Sequence, residues 1–313
     1  MSKMENESAV RHPEGRVLMG PRADKALVQL GSPKIRRRVR IARIADAVQS
    51  RTQQYLGLPV GHLLLKCWLR DLPGAGAIER FGLPRHSLED HLGAQALTLL
   101  VDPRALIRVV AFRPRKVEKR PSSLAFIWDG QWDLRRDDVR LDTYKLISEI
   151  DENRDHLERT AFFREMMGHI EQGRPWSSHR QGILLDTPEK IKTYLRIYIG
   201  YLDNMAVKGY VADMTHDDLG VAISSEGRIL KINRGLHRLG MAQRVGLPQV
   251  PVRVRAVHRA WWDRVTDGAS GQLALERMCQ ALKDCVPDQA PGPMDSSPSL
   301  PVSEGFWPPR RTA

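Results

Sequence analysis

Ile229-Leu230-Lys231-Ile232-Asn233-Arg234-Gly235-Leu236-His237-Arg238-Leu239-Gly240-Met241-Ala242-Gln243-Arg244-Val245-Gly246-Leu247-Pro248 reads as strand, tight loop, short helix and stop. The apolar run 229–232, broken by one lysine, suits a short strand. Asn233 and Gly235 are turn residues, and Gly235 reaches positive φ without steric cost. Residues 236–245 suffice for a short helix, and Gly246 followed by Pro248 ends it. Residues 250–257 then alternate apolar with polar, which predicts a second strand. Upstream, Gly220-Val221-Ala222-Ile223 predicts a further strand, with 224–227 as a hairpin turn. A helix set between two strands makes a compact unit, and its N-terminus carries Gly, His and Arg together.

That N-terminus suits an anion, because free backbone N–H groups and the helix dipole favour negative charge there. Gly235 lets backbone approach a phosphate, and Arg238 can fork onto its oxygens. His237 can donate a further hydrogen bond. Asn233, in the same loop, completes the phosphate-binding candidates. The same spacing is also met by a plain core strand-turn-helix whose His237 and Arg238 are solvated.

Gly235-Leu236-His237-Arg238-Leu239, continued by Ala242-x-x-x-Gly246-Leu247-x-x-Val250-Pro251-Val252, resembles the core motif of the ParB/sulfiredoxin-like superfamily over residues 217–264. Ile127-Trp128-Asp129-Gly130-Gln131-Trp132-Asp133, Gly173-Arg174-Pro175-Trp176 and the helix ending at Gly209-Tyr210 are similar to a branch of ParB-like proteins of the ParB-like nuclease domain type. These extend the resemblance to residues 97–264. It implies a loop that holds nucleotide phosphates: CTP in ParB proteins, ATP in sulfiredoxins, ADP or ATP in the related free-serine kinases. The chain also departs from these relatives. Leu236 stands where sulfiredoxin needs a cysteine nucleophile, so sulfinic-acid reduction is not expected. Arg234 replaces the acidic residue of the serine kinases, and His237 replaces the second arginine of ParB. The class of site carries over better than any one reaction.

At 313 residues the chain can bury a sizeable core in one or two domains. Its formal net charge of +12 favours polyanions or phosphorylated ligands as partners. Cys67, Cys279 and Cys285 are too few and too scattered for a disulfide framework, and no Cys/His spacing predicts a metal site. The start of the chain has no apolar signal-peptide core, and no apolar run reaches membrane-spanning length. The expectation is a soluble, cytoplasmic protein with no membrane partner.

Residues 1–33 mix charge, Gly and Pro and are expected to be disordered. Residues 34–96 form a basic, mainly helical region. It opens on Lys34-Ile35-Arg36-Arg37-Arg38-Val39-Arg40-Ile41-Ala42-Arg43, with six basic residues and no acidic one. Apolar residues recur there at helical spacing, so a basic amphipathic helix is predicted; it could grip a phosphate backbone or simply be a solvated face. Residues 97–186 are mixed and include an acidic segment. From 129 to 159 ten Asp and Glu face six basic residues. Asp133, Asp137 and Asp138 could face a metal, but ion pairing with the basic segments is the preferred reading, since the spacing is not that of a Ca²⁺ loop. Trp128 and Trp132 read as core residues. Thr187 and Pro188 open a helix that closes near Gly209. Residues 187–265 are the ParB/sulfiredoxin-like core, and 266–313 hold a short helix near 272–284 and a disordered, dispensable Pro/Ser-rich tail. The predicted fold class is α+β, with helical N-terminal additions and disordered ends.

Three functions follow. The first is a nucleotide-binding protein taking ATP, ADP or CTP, as a phosphotransferase or NTP hydrolase, with Mg²⁺ expected beside the phosphates. No motif fixes a general base; Asp217, Asp218 and the 129–142 group are the candidate carboxylates. The second is a DNA-associated protein with the nucleotide as a switch, although no helix-turn-helix follows the core. The third is a non-catalytic scaffold that binds an anion incidentally.

Overall fold

The alternation at 250–257 becomes the longest strand of the sheet. The computed structural model describes residues 25–111, 121–179, 181–211, 218–232, 235–295 and 305–309. The N-terminal part is helical: α1 (Lys25–Val28), α2 (Arg36–Thr52), a π-helical turn at Gln53–Gly57, α3 (Leu58–Leu69), α4 (Ala75–Arg80) and α5 (Arg85–Ala96). Strands β1 (Thr98–Val101), β2 (Arg108–Val110), β3 (Ile127–Trp128) and β4 (Arg136–Asp138) follow. Then come α6 (Thr143–Glu152), α7 (Ala161–Glu171), the hairpin β5 (Trp176–Ser178) and β6 (Ile183–Leu185), and α8 (Pro188–Lys208). The unit quoted first is β7 (Leu219–Ile223), β8 (Arg228–Lys231), α9 (Leu236–Val245) and β9 (Val250–His258). Helices α10 (Arg259–Thr266) and α11 (Gly271–Leu282) and strand β10 (Val286–Pro287) complete the elements of the described residues. The fold is α+β.

The main sheet runs β1-β9-β7-β8-β2-β4, with β3 also on β9 and β10 also on β8. Strands β7 and β8 form the expected hairpin, and β9 lies parallel to β7. Helix α9 therefore crosses over β7, and the strands it joins are not neighbours. Period-two alternation splits the sheet into two faces. Leu219, Val221, Ile223, Val252 and Val254 enter the main core, against which α6, α8 and α9 pack. Ala222, Leu230, Ile232 and Ala256 form a smaller core with Trp128 and Trp132, whose rings meet edge to face at 5.4 Å. A side chain at Gly240 would press on Ile147 and Thr143, so this glycine lets α9 lie close on α6.

The predicted caps recur: the Thr187 hydroxyl accepts from the Lys190 N–H, and Gly246 ends α9 in a left-handed conformation. Three expectations are corrected. Pro175-Trp176 reads as loop in the sequence, yet Trp176–Ser178 pairs with Ile183–Leu185 as a hairpin. Helix α10, capped by the His258 side chain and holding Trp261 and Trp262 in the core, was not foreseen.

The third correction concerns the ends. Leu30 is fully buried, and its carbonyl accepts from the Leu184 N–H at 3.0 Å. Strand β10 pairs with β8, Asp288 forms a buried ion pair with Arg136, and Arg108 donates from Nε and Nη2 to the Gln289 carbonyl at 3.0 and 2.9 Å. Phe306 and Trp307 pack on Tyr144. Composition marked the tail as loose, but its carboxylates and aromatics meet buried arginines and a tyrosine far away in sequence. Residues 1–24, 296–304 and 310–313 lie outside the described residues. Among the described residues no helix is long and apolar enough to cross a membrane.

Candidate functional site

Strand β8 delivers the chain to Gly235, which sits at φ 73°, ψ 22° as the residue before α9. Glycine is required twice over. The left-handed backbone disfavours a β-carbon, and that carbon would lie 2.8 Å from Leu219 Cδ2. Among the described residues no side chain caps the first turn of α9, whose N–H groups carry the positive end of the helix dipole.

Arg238 sits in that turn. Its Nη2 lies 3.8 Å from where a Gly235 β-carbon would be, and its guanidinium stacks over the Tyr210 ring at 5.6 Å. Its Nε and Nη2 are buried, and among the described residues they have no hydrogen-bond partner.

A second cation lies close by. Lys231, the last residue of β8, is fully buried, and its ammonium donates to the carbonyls of Gly220, at 3.1 Å, and Ile232. Gly220 adjoins Leu219, the residue Gly235 packs on, so Lys231, Gly235 and Arg238 converge on one end of β7. The sequence reading passed Lys231 over as the odd residue of an apolar run. A lysine on the inward face of a strand, two residues before a turn, was the available signal.

His237 is placed differently. It is 6% exposed, and its ring stands edge-on to Tyr198 at 5.6 Å, facing α8. Tyr198 shares a hydroxyl–hydroxyl hydrogen bond of 3.1 Å with Tyr194. Burial pushes the Tyr194 phenol up to about 12 and Tyr198 well above its usual value. His237 thus packs on α8 from the first turn of α9. Asn233 and Asp217 lie outside the described residues.

Three of the candidate carboxylates, Asp218, Asp133 and Asp138, have partners among the described residues. Asp218 pairs with Arg255 at 3.2 Å and Arg253 at 3.5 Å. Asp133 accepts from the N–H and hydroxyl of Ser225 at 2.8 and 2.7 Å. Asp138 grips Arg140 of its own segment at 2.5 Å, and it lies 3.9 Å from Arg108 of the basic stretch 104–120, the kind of ion pairing that the sequence favoured. What remains chemically is a cationic corner, able to bind and orient an oxyanion. Compared with protein-family models, curated proteins and solved structures, the chain matches none of them.

Proposed function

We propose that this protein binds a nucleotide by its phosphates, at the Gly235 loop and the first turn of α9, with Arg238 as the principal contact. One observation carries the reading: two buried guanidinium nitrogens of Arg238, at an uncapped helix N-terminus, have no hydrogen-bond partner among the described residues. A buried donor left without an acceptor costs about 1–3 kcal/mol, and more when charged. A phosphate oxygen removes that cost and gains the helix dipole as well. The loop's resemblance to ParB/sulfiredoxin-like proteins and the net charge of +12 support the same ligand class. ATP, ADP and CTP are the candidates, with Mg²⁺ arriving on the phosphates. With Asp218 held by two arginines, the proposal is binding, with no base assigned to a reaction.

Thermal unfolding with ATP, ADP and CTP, each with and without Mg²⁺, tests the reading. A ligand at a hundred times its Kd stabilises the fold by about 2.7 kcal/mol, so one nucleotide should raise the Tm by several degrees. No shift with any of them would overturn it.

A second reading, association with DNA, is favoured by α2, where Arg36, Arg37, Arg38, Arg40 and Arg43 are all exposed. Retardation of duplex DNA that weakens steeply with salt supports it. No retardation at low salt removes it.

A further inference from the structure

We infer that the outward face of α2 is a docking surface for an anionic lipid bilayer, on which the helix lies flat. Among the described residues α2 packs on the protein by one side. Val39, Ala42 and Asp46 are half-buried there. Val39 faces the turn between β5 and β6, where a β-carbon on Gly182 would lie 3.8 Å from Val39 Cγ1. The opposite side is open. At 3.6 residues per turn Ile41, Ile44 and Val48 share one stripe along it, and they are 58%, 54% and 59% exposed. Tyr55, in the π-helical turn that follows, extends the apolar surface and is 70% exposed.

The same helix is strongly basic. Arg36, Arg37, Arg38, Arg40, Arg43 and Arg51 are all exposed. Six arginines against Asp46 alone leave α2 a net charge of +5. Among the described residues none of the six forms an ion pair. Asp186, which reaches the start of α2 through Lys34, is shared with Lys190. Arg37 and Arg51 continue the apolar stripe at its two ends, one turn from Ile41 and from Val48, and Arg36, Arg40 and Arg43 run beside it.

Exposed aliphatic side chains among these arginines decide the partner. A nucleic-acid duplex would use the cations and leave Ile41, Ile44 and Val48 in water. A second copy of the chain would set arginine against arginine. A partner helix would have to zip onto about two heptads, fewer than the three or four a coiled coil needs, with Arg51 in the seam. An anionic bilayer uses both features: guanidinium groups reach the headgroup phosphates while aliphatic side chains enter the acyl boundary. Each arginine close to such a leaflet strengthens binding about fivefold. Spanning length, on which no membrane partner was expected, does not bear on a helix that lies in the interface. The inference is independent of the nucleotide loop, and it goes beyond the DNA reading of α2, which uses the arginines alone.

Co-sedimentation of the full chain with lipid vesicles, in about 0.1 M salt, tests this. The protein should sediment with vesicles of equal parts phosphatidylglycerol and phosphatidylcholine and stay in solution with phosphatidylcholine alone. Ile44→Ser combined with Val48→Ser, both at exposed positions, should lower the partition coefficient at least about tenfold with thermal unfolding unchanged. Arg37→Gln combined with Arg40→Gln should lower it about twenty-five-fold. No sedimentation of wild type with the anionic vesicles would overturn the proposal, as would equal partition of wild type and the double serine variant. Loss of duplex DNA retardation in the double serine variant would assign the stripe to nucleic acid and overturn it too. So would a dimer in solution that Val48→Ser splits, which would assign the stripe to a second copy of the chain.

Discussion

Asp288→Asn asks whether the C-terminal segment is part of the fold. Asp288 and Arg136 have side chains 8% and 3% exposed, and their ion pair joins positions 152 apart in sequence. Removing one charge of a buried pair leaves the other desolvated and costs about 3–5 kcal/mol. Arg136 keeps some relief: its Nε donates to the Asp133 carbonyl at 2.8 Å, and Glu226 lies 3.5 Å from Nη2. The expectation is therefore the low end, about 3 kcal/mol. Ending the chain after Cys285 should cost more. It also removes the Gln289 carbonyl from Arg108 and the Asp295 carboxylate from the Arg136 N–H. Urea unfolding followed by tryptophan fluorescence reads both changes, and the Tm should fall by roughly 2–4 °C per kcal/mol. If the shortened chain loses less than about 1 kcal/mol, the segment adds nothing and the packing argument is wrong.

Three further outcomes follow from the structure. Gly235→Ala should lose about 1–2 kcal/mol through its left-handed backbone, and Gly235→Val more, since its side chain runs into Leu219; wild-type stability in urea for both would refute the loop geometry. In an ultraviolet titration Tyr194 and Tyr198 should ionise late. Their folded pKa values lie above the unfolded value near 10, so the unfolded chain releases protons first and stability falls as pH rises from 10 towards 12; all six tyrosines ionising together near 10 in a folded protein would refute this burial. His86 has the opposite sign. Its depressed folded pKa leaves its contribution complete above about 6.5 and eroded as pH falls, because the unfolded chain protonates first. His86→Gln should shallow that acid limb of the stability curve, and an unchanged limb would remove the assignment.

Local chemistry explains what could be read from the sequence. Alternation at 250–257, the hairpin glycine and the Gly246 stop place β7 to β9 and α9 correctly, because each signal acts over a few residues. Gly235 and Arg238 were legible for the same reason: a loop glycine and a first-turn arginine are neighbours by construction. Their setting was not. The Tyr210 ring over Arg238, the inward turn of His237 and the engagement of Asp218 by Arg253 and Arg255 all depend on tertiary contact. Lys231 is misleading in sequence, since a strand lysine normally points to water. The tail was misjudged because composition reports average apolar content, whereas Asp288 and Asp295 act as single carboxylates on buried arginine groups.

Calorimetric titration of wild type, Arg238→Ala and Arg238→Lys with ATP, ADP and CTP in the presence of Mg²⁺ tests the phosphate site most directly. Loss of charge-assisted hydrogen bonds from Arg238 should weaken the bound nucleotide by about 1.5–3 kcal/mol, roughly tenfold to over a hundredfold, with Arg238→Lys recovering only part. Equal affinity of wild type and Arg238→Ala for a nucleotide that wild type binds tightly, or no binding of any nucleotide by wild type, would contradict the account.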